Sequence, residues 1–242
     1  MLASRTRAAS SPPAPSDSPL VDDLEGRWYV VAYEQTEIIE QNREELERRR
    51  EKEMLAYVFW HQRESKIARE EYQERLVAFH RILRERQPKD FLFSMVLEMA
   101  QLPWMEVGRE AYEDWYIVEN SAALDPLDEA AVTGICREPH HQVARLAGNG
   151  TGGLYRLKGG TIDLAQVAEI RSATWFSKPT GMSYNRLYEL LHESRVEQQG
   201  IVWQRQMTMG PALEFCLHSS QKSLLVEEIK SVQVEVQPLN VF

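Results

Sequence analysis

Residues 71–98 read EYQERLVAFHRILRERQPKDFLFSMVLE, and the chain changes its periodicity inside that stretch. Tyr72, Leu76, Phe79 and Leu83 recur at the i, i+4, i+7, i+11 spacing of one helix face, while Glu70, Glu74, Arg81 and Arg84 occupy the other. Pro88 ends that pattern. Beyond it Phe91, Phe93, Met95 and Leu97 alternate with Leu92, Ser94, Val96 and Glu98, which predicts a strand buried mainly on one face. An amphipathic helix feeding a strand through a short proline-bearing link points to an α+β domain.

Working outward, Trp28, Tyr29, Val30, Val31 and Tyr33 form an aromatic and β-branched run that predicts a first strand upstream of the helix. Between them, residues 37–69 are dense in Glu and Arg at helical spacings, which predicts a solvated helical insertion carrying His61. Residues 1–23 are Ser, Pro, Ala and Arg with almost no large apolar side chains, and are expected to be a disordered tail. Downstream, a strand over Trp115–Glu119 precedes helices over Asp125–Ile135 and Pro139–Ala147. Gly148-Asn149-Gly150-Thr151-Gly152-Gly153 then reads as a hairpin-like turn before a strand over Leu154–Leu157. The order is strand, helix, strand, strand, helix, strand, which is the ferredoxin-like βαββαβ order.

After Lys158-Gly159-Gly160 the order starts again. A strand over Val167–Phe176 leads to a helix introduced by Ser183 and carrying Leu187, Leu190 and Leu191. Paired strands over Ile201–Met209 and Leu213–Leu217, a short helix over Leu224–Ile229 and a strand over Val232–Val236 complete it. The expected organisation is a tail over 1–23, a first ferredoxin-like unit over 24–160 and a second over 161–242.

A net charge of −9, from 28 basic against 37 acidic side chains, argues against nucleic acid and anionic membrane surfaces as partners. No apolar run approaches the roughly 18 residues of a membrane span, and the N-terminus lacks a secretory h-region. With Cys136 and Cys216 the only cysteines, the composition agrees with a reducing, cytoplasmic setting.

Glu214, Cys216 and His218 stand at i, i+2 and i+4 of a predicted strand, so they share a face. A carboxylate that orients an imidazole and raises its basicity suits proton abstraction, which makes His218 the candidate base and Glu214 its orienting group. Arg205, Gln204 and Trp203 on the preceding strand, with Cys216, Trp28 and Tyr33, are the candidate substrate contacts, because they place polar groups beside aromatic surface. His140 and His141 point about 100° apart on a helix and cannot chelate one metal, and His61 and His80 lack ligand spacing, so no metal site is expected. No phosphate loop, dinucleotide fingerprint, nucleophile elbow or zinc-protease motif occurs.

The stretch Trp175-Phe176-Ser177-Lys178-Pro179-Thr180-Gly181-Met182-Ser183 resembles the strand-to-helix turn of EthD-like proteins, and Glu214-Phe215-Cys216 resembles a barrel strand. Over 27–242 the chain thus resembles the dimeric α/β-barrel superfamily, EthD-like or chlorite dismutase-like. That resemblance implies two units whose antiparallel sheets close an α/β barrel around a ligand cavity, and association as a homodimer. It implies a tailoring enzyme that binds an apolar small molecule without a cofactor and carries out proton transfer, cyclisation or oxygenation. One alternative is a haem enzyme ligated by His192, near the end of the second-half helix. The other is a non-catalytic ligand-binding or scaffold protein.

Overall fold

Leu55–Arg63, LAYVFWHQR, forms the first strand of the described chain, β1. This corrects the expected helix over 37–69: residues 40, 43 and 53 are helical, but Leu55 to Trp60 carries no charge. A strand buries that run on both faces, whereas a solvated helix would expose part of it. The structure, a computed structural model, describes residues 40, 43, 53–208, 210–223 and 225–242. The expected tail over 1–23 and the expected strand around Trp28 and Tyr33 lie outside the described residues. Every described strand belongs to the unit over 48–242.

Helix α1, Arg69–Arg86, buries Tyr72, Leu76, Phe79 and Leu83 as their spacing predicts, together with His80. Glu70 and Glu71 in its first turn and Arg84 and Arg86 in its last complement the helix dipole. Gln87 closes it in the left-handed region at φ 48°, and Pro88 bars its continuation. Strand β2, Phe91–Met99, is buried on both faces from Phe93 onward, and all eight residues of β3, Ala111–Val118, are buried. A strand expected to be wet on one side is dry on both, because one face lines a barrel and the other lies beneath helices.

Helices α2, Leu124–Val132, and α3, Arg137–Leu146, lead into β4, Ala147–Gly159. The glycine run expected to turn is thus part of a strand, antiparallel to β1. Its glycines leave room for the aromatic side chains of β1. A Cβ on Gly150 would lie 2.3 Å from Phe59, and one on Gly153 would lie 2.9 Å from Trp60.

In the second half a short helix α4, Leu164–Ala168, precedes β5, Ser172–Phe176, so the strand expected from Val167 begins later. Helix α5, Tyr184–Glu193, starts at Ser183, whose Oγ accepts from Arg186 N at 3.2 Å. A single turn α6, Val196–Gln199, then precedes β6, Ile201–Thr208, β7, Phe215–Ser219, and β8, Ser231–Val241. The helix expected over Leu224–Ile229 is not formed: the described residues there are turn and irregular.

The strands close into an antiparallel barrel in the order β1-β3-β2-β8-β5-β7-β6-β4. Read from β4, the first four run β4-β1-β3-β2, and read from β8 the others run β8-β5-β7-β6. Each half therefore has the same order, fourth-first-third-second, and the halves join through β2 with β8 and β4 with β6. This is the α+β architecture of two ferredoxin-like units forming an α/β barrel. Closure covers each sheet's inner face with the other sheet, which is the covering that a partner's sheet would give a single ferredoxin-like unit. Helices α1, α2 and α3 cover the outer face of the first sheet, and α5 and α6 that of the second. No described helix is long and apolar enough to cross a membrane.

Candidate active site

The inward row of β7 carries Cys216 and His218, both wholly buried; across the ladder Cys216 faces Trp175 and Trp203, and His218 faces Ala173 and Ile201. They do share a face as the spacing predicts, but that face is the packed barrel core. Glu214 sits just before β7 and does not orient His218: its carboxylate accepts from Tyr184 Oη at 2.6 Å and Lys178 N at 3.2 Å. The carboxylate beside His218 is Glu113 of β3, 3.9 Å from Nε2 and itself wholly buried. Neither ring nitrogen of His218 makes a hydrogen bond among the described residues. Burial, with the neighbouring Glu113, pushes the Cys216 thiol well above its usual value and keeps it protonated.

The other expected contacts are dispersed. Trp203 lies inside the barrel against Trp115, at 5.3 Å between ring centroids. Arg205 donates to Ala212 O at 2.6 Å, while Gln204 faces the helix side and accepts from Tyr188 Oη at 3.2 Å. Trp28 and Tyr33 lie outside the described residues. His192 is exposed on α5, on the side away from Leu187, Leu190 and Leu191, and those side chains fill the space beneath the helix. These residues do not fit a haem.

A cavity of about 590 Å³ opens instead between the first sheet and helices α2 and α3. Its walls are mainly apolar: Phe59 and Leu154 from the strands, Phe79 from α1, Leu124 and Leu127 from α2. Met207 reaches it from β6 because a bulge leaves Gln206 without a counterpart between the Leu154–Met207 and Tyr155–Arg205 pairs. Few polar groups converge on it: Tyr57, Tyr116, Asp125, Asp128 and His140. Apolar walls with a handful of placed polar groups suit an aromatic or alicyclic ligand.

Of these, His140 offers an imidazole as a proton acceptor. Burial, then the adjacent His141, pulls its imidazole below the usual value, so it is neutral there. Its buried Nδ1 has no partner among the described residues, and its ring stands edge-on to Phe79 at 5.4 Å. Both phenols stay protonated and able to donate: burial, followed by nearby carboxylates, raises Tyr57 and raises Tyr116 further.

Tyr116 is also the pocket end of a buried network on the outer face of β3. Its hydroxyl lies 3.4 Å from Asp114 Oδ2 and 3.3 Å from His80 Nε2, with the His80 ring stacked on it at 4.9 Å. Asp114 contacts His61 Nε2 at 3.0 Å and His80 Nε2 at 3.5 Å. The far nitrogens are held too, His61 Nδ1 by Tyr72 Oη at 2.6 Å and His80 Nδ1 by Ser94 Oγ at 2.8 Å. Burial alone would raise Asp114, but the two imidazoles outweigh it and hold the carboxyl well below the usual range.

Comparison with solved structures bears on the fold. A provisionally named monooxygenase from Fusobacterium nucleatum is similar at a TM-score of 0.55 and 11% identity, over 78% of this chain and 93% of that one. The two share a fold. An anthrone oxidase-like protein is similar at 0.47 and 9% identity, over 80% of this chain and 94% of that one. A chlorite dismutase from Candidatus Nitrospira defluvii is similar at 0.42 and 8% identity, over 78% and 93%. No protein-family profile matches the chain, and no curated protein matches it.

His61, expected on a solvated helix, and His80 are both buried. The signal for His80 is in the sequence, since it stands four residues after Leu76 and three before Leu83 and so shares their helix face. His61 follows the apolar run of β1 in phase with Leu55, Tyr57 and Phe59. Glu113, Asp114 and His140 had no such local signal.

Proposed function

We propose that the protein is a small-molecule tailoring enzyme that binds a mostly apolar, ring-bearing metabolite in the first-half pocket and removes a proton from it without a bound cofactor. One observation carries the reading: a neutral imidazole, His140, and a phenol anchored to a buried carboxylate, Tyr116, meet in a cavity otherwise walled by hydrocarbon. His140 takes a proton from an acidic C–H or O–H of the substrate. Tyr116 and Tyr57 donate hydrogen bonds to the enolate or phenolate oxygen that develops, and the network through Asp114 fixes Tyr116 in place. Oxygenation is the favoured outcome, because an electron-rich carbanion reacts with dioxygen directly. The fold shared with a provisionally named monooxygenase supports that choice. This pocket rather than His218 is the working site because the side chains around His218 leave no accessible surface.

Titrating the protein with polycyclic phenols and following dioxygen uptake tests the reading. His140→Gln is expected to slow turnover by about 10²- to 10⁴-fold with binding largely retained. Tyr116→Phe is expected to slow turnover less. Full turnover in both variants, or ligands that bind equally well after Gly152→Val narrows the cavity, would move the site elsewhere.

A further inference from the structure

The barrel core holds groups that proton transfer in the outer pocket does not use. Five of the six tryptophans lie there, Trp60, Trp104, Trp115, Trp175 and Trp203. They form a continuous series of ring contacts. Centroids are 5.3 Å apart for Trp203 and Trp115, 6.3 Å for Trp115 and Trp175, 5.9 Å for Trp175 and Trp60, and 4.9 Å for Trp175 and Trp104. Trp104, in the link between β2 and β3, also meets Trp60 at 5.8 Å and is the partly exposed member of the series. Indoles are ordinary core residues, and packing alone would explain them. Packing does not explain Glu113, wholly buried at their centre, where it accepts from Trp60 Nε1 at 3.1 Å and Trp115 Nε1 at 3.0 Å. A carboxylate at such a place costs several kcal/mol relative to an apolar residue of its size, and so points to use.

Glycine brings the two sites together. Gly153 lines the outer pocket, yet a Cβ built on it would stand 2.9 Å from Trp60 Cη2 and 3.1 Å from Tyr155. A glycine backbone therefore stands between the cavity and the first indole.

We propose that the barrel core is a hole-transfer path, which carries a one-electron oxidising equivalent from the outer pocket through Trp60 to Trp104 at the surface, with Glu113 as the local proton acceptor. The oxidant is a substrate peroxyl radical, formed when dioxygen takes one electron from the bound carbanion and a second dioxygen adds to the substrate radical that remains. That origin rests on the oxygenase reading, although the path itself does not. The radical takes one electron from Trp60 and becomes the corresponding peroxide anion. The indole radical cation, far more acidic at Nε1 than the neutral indole, passes that proton to Glu113, which leaves a neutral indolyl radical. An electron then moves from Trp104 to Trp60 as Glu113 returns the proton, which leaves a radical cation on Trp104; a thiol-class reductant in solution gives it one electron, becoming a thiyl radical and losing its proton to water. The pocket thus sheds a damaging species formed when oxygenation fails to complete.

Direct injection of a hole tests the path independently of any substrate. Met207 lines the pocket and is 64% exposed, while the native Cys136 and Cys216 are buried, so Met207→Cys can be labelled selectively with a ruthenium polypyridyl complex. Flash oxidation of the label is expected to give a neutral tryptophan radical by transient absorption and electron paramagnetic resonance, with oxidation products mapped by mass spectrometry concentrated at Trp104. In Trp60→Phe the radical signal should be lost. In Trp104→Phe the products should shift to Trp60 and Trp175, and in Glu113→Gln the radical should be the cation instead of the neutral species. Glu113→Asp retains the carboxylate and should retain the neutral radical, which separates proton acceptance from a folding defect. A labelled protein without a tryptophan radical, or an undiminished signal in Trp60→Phe, would overturn the path. Loss of dioxygen uptake with all substrates while the flash signals persist would overturn the oxygenase reading alone.

Discussion

Replacing Asp114 by Asn removes the charge at the centre of the outer network and leaves its shape. The carboxylate is buried, within 3.0 Å of His61 and 3.5 Å of His80. Removing one partner from a buried ion pair costs about 3–5 kcal/mol. The amide keeps one acceptor oxygen, which sets the expectation at the lower end, about 3 kcal/mol. For a unit of this size each kcal/mol moves the melting temperature by about 2–4 °C, so a fall of about 6–12 °C is expected at pH 7. The folded-state pKa of Asp114 is depressed, so its stability contribution is fully present above the unfolded value of about 3.9 and is lost as pH falls below it. Asn does not titrate. The gap between the two proteins should therefore be widest at neutral pH and close progressively below about pH 4. Urea unfolding of both proteins at pH 7, 5, 4 and 3 gives the comparison, with groups common to both cancelling in the difference. A gap that stays constant from pH 7 to pH 3, or a loss of less than about 1 kcal/mol at pH 7, would refute the assignment of Asp114 as a charged partner of the two histidines.

Gly153→Ala puts a Cβ against Trp60 and Tyr155 and is expected to cost about 1–3 kcal/mol in denaturant unfolding. Ser183→Ala removes the cap of α5, and a loss of about 1 kcal/mol is expected by the same assay. His218→Gln, in the packed core, should lower the melting temperature while the folded fraction binds ligand in the outer pocket with unchanged affinity, as fluorescence titration would read. His192→Ala should leave both stability and the visible spectrum after haem addition unchanged, since the side chain is exposed and faces no cavity.

Periodicity was enough for the parts of this fold that repeat locally. The spacing of Tyr72, Leu76, Phe79 and Leu83 settled α1, the alternation from Phe91 settled β2, and Ser183 marked the start of α5, because each depends on neighbours a few residues away. The doubled βαββαβ order followed from placing such elements in sequence. What local pattern missed was decided by partners far along the chain. Leu55 to Trp60 is a strand because β3 and β4 flank it, and the glycines over 148–153 extend β4 because Tyr57, Phe59 and Trp60 need the space beside them. The same distance in sequence explains the site. Glu214, Cys216 and His218 stand in step on their strand, but a closed barrel turns that face into a dry core and supplies Glu113, from the other half, as the carboxylate nearest His218. Tyr116, Asp114, His61, His80 and His140 come from four separate elements, β1, α1, β3 and α3. Sequence reveals which residues lie on a face, whereas only closure of the barrel and the seating of α1 to α3 decide which face is a core and which is a pocket.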